Sequence, residues 1–187
     1  MINERAKIIL EFCFAKTPME KWFRKDHDFD KKLKQFFSND YERAVNNQYD
    51  EWQNNPDECV ALIMLLDQFS RNFYRNNPQA YKQDQKCRLI VNKAIKRGYL
   101  KKLDKDKSHF LLLPLIHSED LDDHILGHKL IDIHLKNHQE FNKIKKAWND
   151  HTYAIKKFNR YPHRNSILGR KSSEIELKFL NGPNSSW

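Results

Sequence analysis

The chain of 187 residues is long enough for one domain with a hydrophobic core and too short for two domains of ordinary size. Aromatic residues make up 12% of it, which argues against disorder, and four glycines and six prolines leave few sites for hairpin turns. The net charge of +9 invites a nucleic-acid partner, but the lysines are spread along the chain and no glycine-rich or aromatic RNA-reading module is present, which argues against one.

Signals for helix starts recur along the chain. The segment "TPME" offers Thr17 as an N-cap before proline, and both Asn55 and Asn77 also precede a proline. Near the end of the chain, Ser173 and Glu176 have the spacing of a capping box. These starts divide the chain into segments of the length that single helices have in globular domains.

Between these starts the apolar residues recur at helical spacing. The predicted apolar faces are Phe29, Leu33 and Phe36; Tyr41, Val45, Tyr49 and Trp52; Tyr81, Cys87, Ile90, Val91, Ala94 and Ile95, closed by Gly98; Leu121, Ile125, Leu130 and Ile133; and Ile144, Trp148, His151, Ile155 and Phe158. No segment alternates with period two for long enough to require a strand. We therefore predict an all-α fold of about eight or nine short antiparallel helices in a single domain, residues 1–187.

Cysteine usage and apolar run lengths indicate the compartment. Cys13, Cys59 and Cys87 lie far apart within apolar helical patterns, as small core residues do in a reducing environment. The longest apolar runs, "CVALIMLL" and "FLLLPLI", fall short of the roughly 20 residues that cross a bilayer. We expect a cytoplasmic protein without a membrane span.

Cofactor and metal signals are weak. The sequence has no phosphate-binding loop and no dinucleotide fingerprint, so we predict no cofactor. His124 and His128 have the i, i+4 spacing of zinc ligands, as do His134 and His138, but "HILGH" lacks the glutamate of a metalloprotease. Surface histidines are the simpler interpretation, and we predict no metal.

The first polar cluster follows a run that is apolar on every face. In "LLDQFSRNFYR", Asp67, Arg71 and Arg75 fall at i, i+4 and i+8 and share one helix face. A buried Asp67 needs a cation, and Arg71 is the local candidate. The cluster is either a structural ion pair or one wall of an anion-binding pocket, since two arginines exceed what one aspartate neutralises.

The second cluster is "IHSEDLDDH". Ser118 is placed to cap a helix whose first turn carries Glu119 and Asp120, where negative charge suits the helix dipole. His117 precedes this cap, and a histidine near a carboxylate can act as a general base at neutral pH. A structural histidine is the alternative.

The third cluster is a loop dense in arginine and histidine. His151 lies on the apolar face of its predicted helix, so it needs a hydrogen-bond partner or a ligand. Asn159 can end that helix in the left-handed conformation. The loop that follows carries the donor-rich residues Arg160, His163, Arg164, Asn165 and Arg170.

Together these segments resemble the mostly bacterial family named domain of unknown function 924. The resemblance rests on "VALIMLLDQFSRNFYR", "FLLLPLIHSEDL", "HTYAIKKFNRYPHRNSILGR" and "FLNGPNSSW", and runs from "ILEFCF" to the last aromatic residue. It implies a tetratricopeptide-like (TPR-like) fold of stacked antiparallel helices and no established activity. Three positions depart from the family pattern: Cys13 stands for a usual Trp, Asn159 for a usual Gly and His124 for an expected Gln. The family's characteristic polar positions correspond to Asp67, Gln68, Arg71, Asn72, Arg75, His117, Ser118, Glu119, Asp120, His151, Arg160, His163, Arg164, Asn165, Gly169 and Arg170.

These observations lead to the hypothesis that the three clusters meet in one polar centre. As a binding module, this centre holds a small anionic molecule or a peptide carboxylate, with ligand-binding residues Asp67, Arg71, Arg75, His151, Arg160, Arg164, Asn165 and Arg170. As a hydrolase or transferase acting on a small anionic substrate, it uses His117 or His163 as acid or base, oriented by Glu119 or Asp120. A purely structural centre is the third alternative. The sequence predicts neither the ligand nor the oligomeric state.

Overall fold

A computed structural model describes residues 2–183 and 185–186. Over these residues the chain is all-helical and contains no strand, which confirms the predicted fold class. Eight helices are present in the described part: α1, Glu4–Leu10 continued by π-helical turns over Glu11–Lys16; α2, His27–Val45; α3, Pro56–Ile63 continued by π-helical Met64–Phe69 and α-helical Ser70–Phe73; α4, Asp84–Lys96; α5, Lys105–Ile116; α6, Leu121–His134; α7, Phe141–Phe158; and α8, Glu174–Leu180. Short 3-10 helices connect some of them: Met19–Phe23, Asp50–Asn54, Pro78–Tyr81, Tyr99–Lys101 and Pro162–Arg164.

Most of the predicted helix ends are confirmed. The Asn55 side chain accepts two backbone N–H groups of the first turn of α3, and Ser173 and Glu176 form a complete capping box at α8. Gly98 follows α4 with φ +71°, and Asn159 ends α7 with φ +54°. These ends are set by neighbouring residues, which is why local sequence predicts them.

Two local predictions in the first half of the chain are wrong. Thr17 caps no helix, since the short 3-10 helix after it begins at Met19 without a side-chain cap. The predicted break after Phe36 does not occur, because α2 continues unbroken to Val45. Phe37, rather than Phe36, continues the buried face of α2.

Backbone contacts divide the chain into two compact units, residues 1–114 and 115–187, and the division falls inside α5. The single domain and the TPR-like arrangement stay predictions. In the first unit, α1 and α2 pack against α3, and α4 packs against α3 as well. Residues 60–66 are each at most 1% exposed, so this part of α3 is buried on every side, as its apolar run predicts.

The three cysteines all belong to this first unit. Cys13, Cys59 and Cys87 are buried thiols within its core, as the sequence predicts. Across the described residues, no helix is both long enough and apolar enough to cross a membrane.

In the second unit, α6 packs against α7 at very short range. A Cβ atom at Gly127 would lie 2.0 Å from Cζ3 of Trp148, so this approach requires glycine. The predicted apolar face of α6 is confirmed at Leu130, which is buried, and wrong at Ile125 and Ile133, which are exposed. His124 and Gly127 turn inward instead, and a polar side chain thus takes a core position of this helix.

Candidate functional site

Asp67 and Arg71 form the buried ion pair that the sequence predicts. Arg71 Nη1 lies 3.2 Å from Asp67 Oδ1, and Nη2 donates to Asp84 Oδ1 at 3.0 Å. Burial acts in the opposite direction, but the two carboxylates raise the pKa of Arg71 above its usual value. Arg71 therefore joins α3 to the start of α4 as well as holding the charge of Asp67.

Arg75 has a carboxylate partner on another helix. Its Nε and Nη2 both bind Asp30 of α2, with Nη2 donating to Oδ1 at 3.0 Å. Asn72 Nδ2 donates to the same oxygen at 2.7 Å. Two arginines here meet three aspartates, so the first polar cluster has no excess of positive charge. Its contacts support the structural alternative.

The turn before α6 differs from its prediction. Asp120, and not Ser118, is the N-cap of α6, because its side chain accepts the N–H of Asp122. The Ser118 hydroxyl instead accepts the N–H of Asp120 at 3.0 Å within the turn. As a result Glu119 lies outside the helix, where its carboxylate reaches the loop after α7.

Glu119 joins this turn to the third polar cluster. Its carboxylate accepts from Arg170 Nη1 at 2.6 Å and Nη2 at 2.9 Å, and from the N–H of Tyr161 at 2.8 Å. Burial opposes ionisation, but these bonds lower the pKa of Glu119 below its usual value. The second and third clusters thus do meet, within residues 115–187. That these two clusters also meet the first polar cluster stays a prediction.

Arg160 forms a second bidentate pair in the same unit. Its Nε and Nη2 donate to the two carboxylate oxygens of Glu176 at 2.6 and 2.7 Å. Arg160 and the N–H of Ser173 lower the pKa of Glu176 to about 2. The buried Asn165 donates to Ser172 Oγ at 3.0 Å and lies 3.4 Å from Glu176. These contacts attach α8 to the loop.

A buried tyrosine lies at the centre of the remaining predicted site residues. The Tyr161 hydroxyl donates to the carbonyl of Ile116, and Arg164 stacks on the Tyr161 ring at 4.5 Å while donating to the carbonyl of His117 at 2.9 Å. The His163 and His151 rings lie 5.4 and 5.9 Å from the ring of Tyr161. We refer to Tyr161, His117, His151, His163 and Arg164 as the Tyr161 cluster.

His151 is held in one neutral form. Its Nδ1 lies 2.7 Å from the carbonyl of Ala147, and a carbonyl only accepts, so Nδ1 carries the proton and Nε2 the lone pair. Burial lowers the pKa of His151 well below its usual value, and the nearby His117, His163 and His124 lower it further. Two histidines of the cluster, His117 and His163, are therefore close enough to disfavour a positive charge on His151.

The two histidines with zinc-ligand spacing on α6 share a hydroxyl group. Thr152 Oγ1 lies 2.9 Å from His124 Nδ1 and 2.9 Å from His128 Nε2, between the two imidazoles. His138 Nδ1 accepts the N–H of Glu140. Among the described residues, no group of three or more histidine, cysteine, aspartate or glutamate side chains is arranged to hold a metal ion.

Comparison with known proteins places the chain in a family. The model of DUF924, a bacterial protein family of unknown function, matches residues 9–184. The chain belongs to this family. The solved structure of a protein of unknown function from Agrobacterium tumefaciens is similar to the DUF924 chain described here, with 30% identity and a TM-score of 0.88 over 95% of this chain and 97% of that one. Among curated proteins, none matches.

The sequence did not predict the roles of two residues of this DUF924 protein, Tyr161 and Thr152, which contact the histidines described above. Tyr161 stands between Arg160 and Pro162 in "NRYPHR" and reads as a loop aromatic, although it is fully buried. Thr152 has no signal beyond its place one residue after His151. A tyrosine directly before a proline in a loop rich in arginine could have suggested an anchoring role.

Proposed function

We propose that this DUF924 protein binds a small anionic group, a carboxylate or phosphate carried by a small molecule or a peptide, at the Tyr161 cluster. The observation that carries the proposal is the gathering of two half-buried imidazoles, those of His151 and His163, and the buried guanidinium of Arg164 around the Tyr161 ring. A guanidinium donates to an oxygen anion with two N–H groups at once, and an imidazole donates with one. His151 uses its Nδ1 proton on the Ala147 carbonyl, so it donates to an anion from Nε2 only after taking up a proton.

Exposure supports this location. His117, His151 and His163 are half-buried residues, while Arg164 is only 6% exposed and Tyr161 is fully buried. A few polar side chains that converge on one place beside buried aromatic surface are a common feature of small-molecule sites. The partial burial also strengthens an ionic hydrogen bond relative to one in open water.

The other arginines of the hypothesis have a supporting role in this proposal. Arg160 and Arg170 each form a bidentate pair with a glutamate, and these pairs hold the loop in place around the cluster. Asn165 and Glu119 belong to the same framework. Asp67, Arg71 and Arg75 remain predicted ligand residues whose ion pairs support a structural role.

The proposal is tested by titrating the full chain with inorganic phosphate and, separately, with citrate. The imidazole C–H signals of the histidines are followed by NMR. We expect saturable shifts of the His151 and His163 signals, and Arg164→Gln weakens the affinity at least about tenfold, about 1.4 kcal/mol. Arg97→Gln is the matched control, since it removes a guanidinium from the exposed end of α4 in the other unit.

Equal weakening by both variants would mean that only net charge matters, and the proposal would fail. Should Arg164→Gln not fold, His163→Ala removes a half-buried donor instead, and unchanged affinity in that variant would also contradict the site. A chain that folds and shows no saturable shift with either anion would leave the structural alternative as the better account.

A hydrolase or transferase is the second candidate, and one observation favours it. The Nδ1 bond to Ala147 leaves the Nε2 lone pair of His151 as the basic atom, the form that a general base needs. His117 and His163 remain the predicted acid or base, although Glu119 pairs with Arg170 and Asp120 caps α6. Turnover of phosphoesters or acyl compounds that disappears in His151→Gln, with anion binding kept, would establish it. A cytoplasmic location, consistent with three buried thiols, is part of the proposal.

A further inference from the structure

A chain of three hydrogen bonds connects α6, α7 and the turn before α6. His128 Nε2 lies 2.9 Å from Thr152 Oγ1, Thr152 Oγ1 lies 2.9 Å from His124 Nδ1, and His124 Nε2 lies 2.9 Å from the carbonyl of Ser118. His124 and His128 belong to α6, Thr152 belongs to α7, and Ser118 lies in the turn. We call this set the Thr152 chain.

With a neutral His124, the chemistry of the groups allows only one direction for these bonds. The Ser118 carbonyl can only accept, so His124 Nε2 carries the proton and its Nδ1 carries the lone pair. The Thr152 hydroxyl must then donate to His124 Nδ1. Its oxygen in turn accepts from His128, whose Nε2 must carry a proton. The Ser118 carbonyl at one end of the Thr152 chain therefore fixes the position of the hydrogen in each of these three bonds.

The two histidines consequently differ in their response to acid. An imidazolium donates from both nitrogens, so His128 can take up a proton and still donate to Thr152. His124 differs, because a proton on its Nδ1 would reverse the bond to Thr152: the hydroxyl would have to accept from Nδ1 and turn its own hydrogen away. Since His124 is fully buried, the same proton would also place a positive charge in the contact between α6 and α7 without water around it.

From this geometry we infer that the Thr152 chain is a proton-sensitive joint between α6 and α7, which loosens when His124 takes up a proton. Such a joint would make the second unit open more readily in acid. It does not depend on the ligand of the Tyr161 cluster, and it can be tested without any ligand present.

The surroundings of His124 resist protonation. It is fully buried, so an imidazolium there would lose its hydration. On α6, His128 opposes a positive charge and Asp123 favours one, while His117 opposes it from the turn. From the loop, the Tyr161 hydroxyl lies 3.5 Å from His124 Nε2. Burial is the largest cause, and together with His128 and His117 it lowers the pKa of His124 despite the opposing effects of the bond to the Ser118 carbonyl and of Asp123.

Close packing next to the joint makes it cooperative. Gly127, one turn after His124, lies against the Trp148 ring, which in turn lies one turn before Thr152. The His128 ring packs edge-on against the same Trp148 at 5.7 Å. Movement of α6 away from Thr152 therefore also opens the contact with Trp148, and the two contacts are expected to open together.

The test is native-state hydrogen exchange on the full chain between about pH 5 and 7, the range in which histidines titrate. After correction for intrinsic exchange, we expect the opening equilibrium of α6 amides to rise as the pH falls. A proton taken up only in the open state contributes up to about tenfold per pH unit. His124→Gln keeps a donor for Ser118 and an acceptor for Thr152 but cannot titrate, so its pH dependence should be shallower by that amount.

Thr152→Ser is the matched control, because it keeps the hydroxyl and should retain the wild-type pH dependence. His151 contributes its own acid sensitivity in all of these proteins, so the comparison isolates His124. If His124→Gln keeps the full wild-type slope, the inference fails. Nitrogen-15 NMR of the unmodified chain gives a second measurement that needs no variant: a neutral His124 carrying its proton on Nδ1 would overturn the proposed order of donors.

Discussion

The ion pair between Glu119 and Arg170 provides the sharpest test of how the loop after α7 is held in the second unit. The Glu119 carboxylate accepts two bonds from the Arg170 guanidinium, at 2.6 and 2.9 Å, and one from the N–H of Tyr161 at 2.8 Å. We consider a double-mutant cycle of Glu119→Gln and Arg170→Gln. The cycle isolates the coupling between the two side chains from the effect of either change alone.

The magnitude follows from geometry and exposure. A hydrogen bond to a charged group contributes about 1.5–3 kcal/mol, whereas a fully exposed ion pair contributes about 0.2–1 kcal/mol. The side chains of Glu119 and Arg170 are 28% and 25% exposed, so solvent screens part of the attraction. Two parallel bonds in a partly buried site therefore give a coupling of about 2 kcal/mol. Glu119→Gln alone should also weaken the bond to the Tyr161 N–H.

The assay is the free energy of opening measured by hydrogen exchange of amides in the second unit, including that of Tyr161. Lys146 and Asp150 on α7 form the control pair, with an N···O distance of 2.6 Å but side chains 65% and 28% exposed. Their coupling should be about 0.3–0.5 kcal/mol, as for other exposed i, i+4 pairs. Equal couplings in the two cycles would refute the reasoning, since the bidentate, half-buried geometry would then contribute nothing.

Three further predictions concern the same unit. Gly127→Ala should destabilise the chain by about 2 kcal/mol in urea unfolding, because overlap with Trp148 outweighs the gain of about 1 kcal/mol in helix propensity; an unchanged midpoint would contradict the close packing. Arg160 stabilises the ionised carboxylate of Glu176, so the contribution of this pair to stability is present above about pH 4.5 and is lost as the pH falls towards the folded pKa of about 2. Glu176→Gln should remove this pH dependence of the free energy of unfolding. A variant that keeps the same pH dependence would refute the pairing. Asn159→Ala should cost about 1 kcal/mol because its φ is +54°, whereas Asn159→Gly should cost almost nothing in the same urea assay, and equal losses would argue against a left-handed cap.

Helix ends were predictable where one residue dominates its neighbourhood. Pro56 at the first helical position selects Asn55 over Asn54 as the N-cap, and Gly98 and Asn159 stand beside residues that rarely adopt a positive φ. The structure confirms all three ends. The cap of α6 failed because Ser118 and Asp120 are both good caps two residues apart, and local sequence does not decide between them. The chosen register matters, because it places Glu119 outside the helix and within reach of Arg170.

The partners of the charged residues could not be predicted in the same way. Arg75 binds Asp30, 45 positions away, and Arg170 binds Glu119, 51 positions away. A sequence shows that a buried arginine needs a carboxylate, but not which one, because that depends on how distant helices pack. The pair of Asp67 and Arg71 lies within one helix, and it is the arginine pair that the sequence predicts.

The nature of the side chains explains why the second unit is the better candidate for function. Arginine keeps its charge at any ordinary pH, so an arginine taken into the interior must be matched by permanent partners, and most of those in the three clusters are matched by carboxylates. Histidine can enter the interior neutral and later accept a proton or an anion. The arginine-rich segments of this protein therefore indicate where ion pairs hold distant helices and loops together. We therefore propose the half-buried histidines beside Tyr161, and not the arginine–carboxylate pairs, as the side chains of this unit that respond to an anion or a proton.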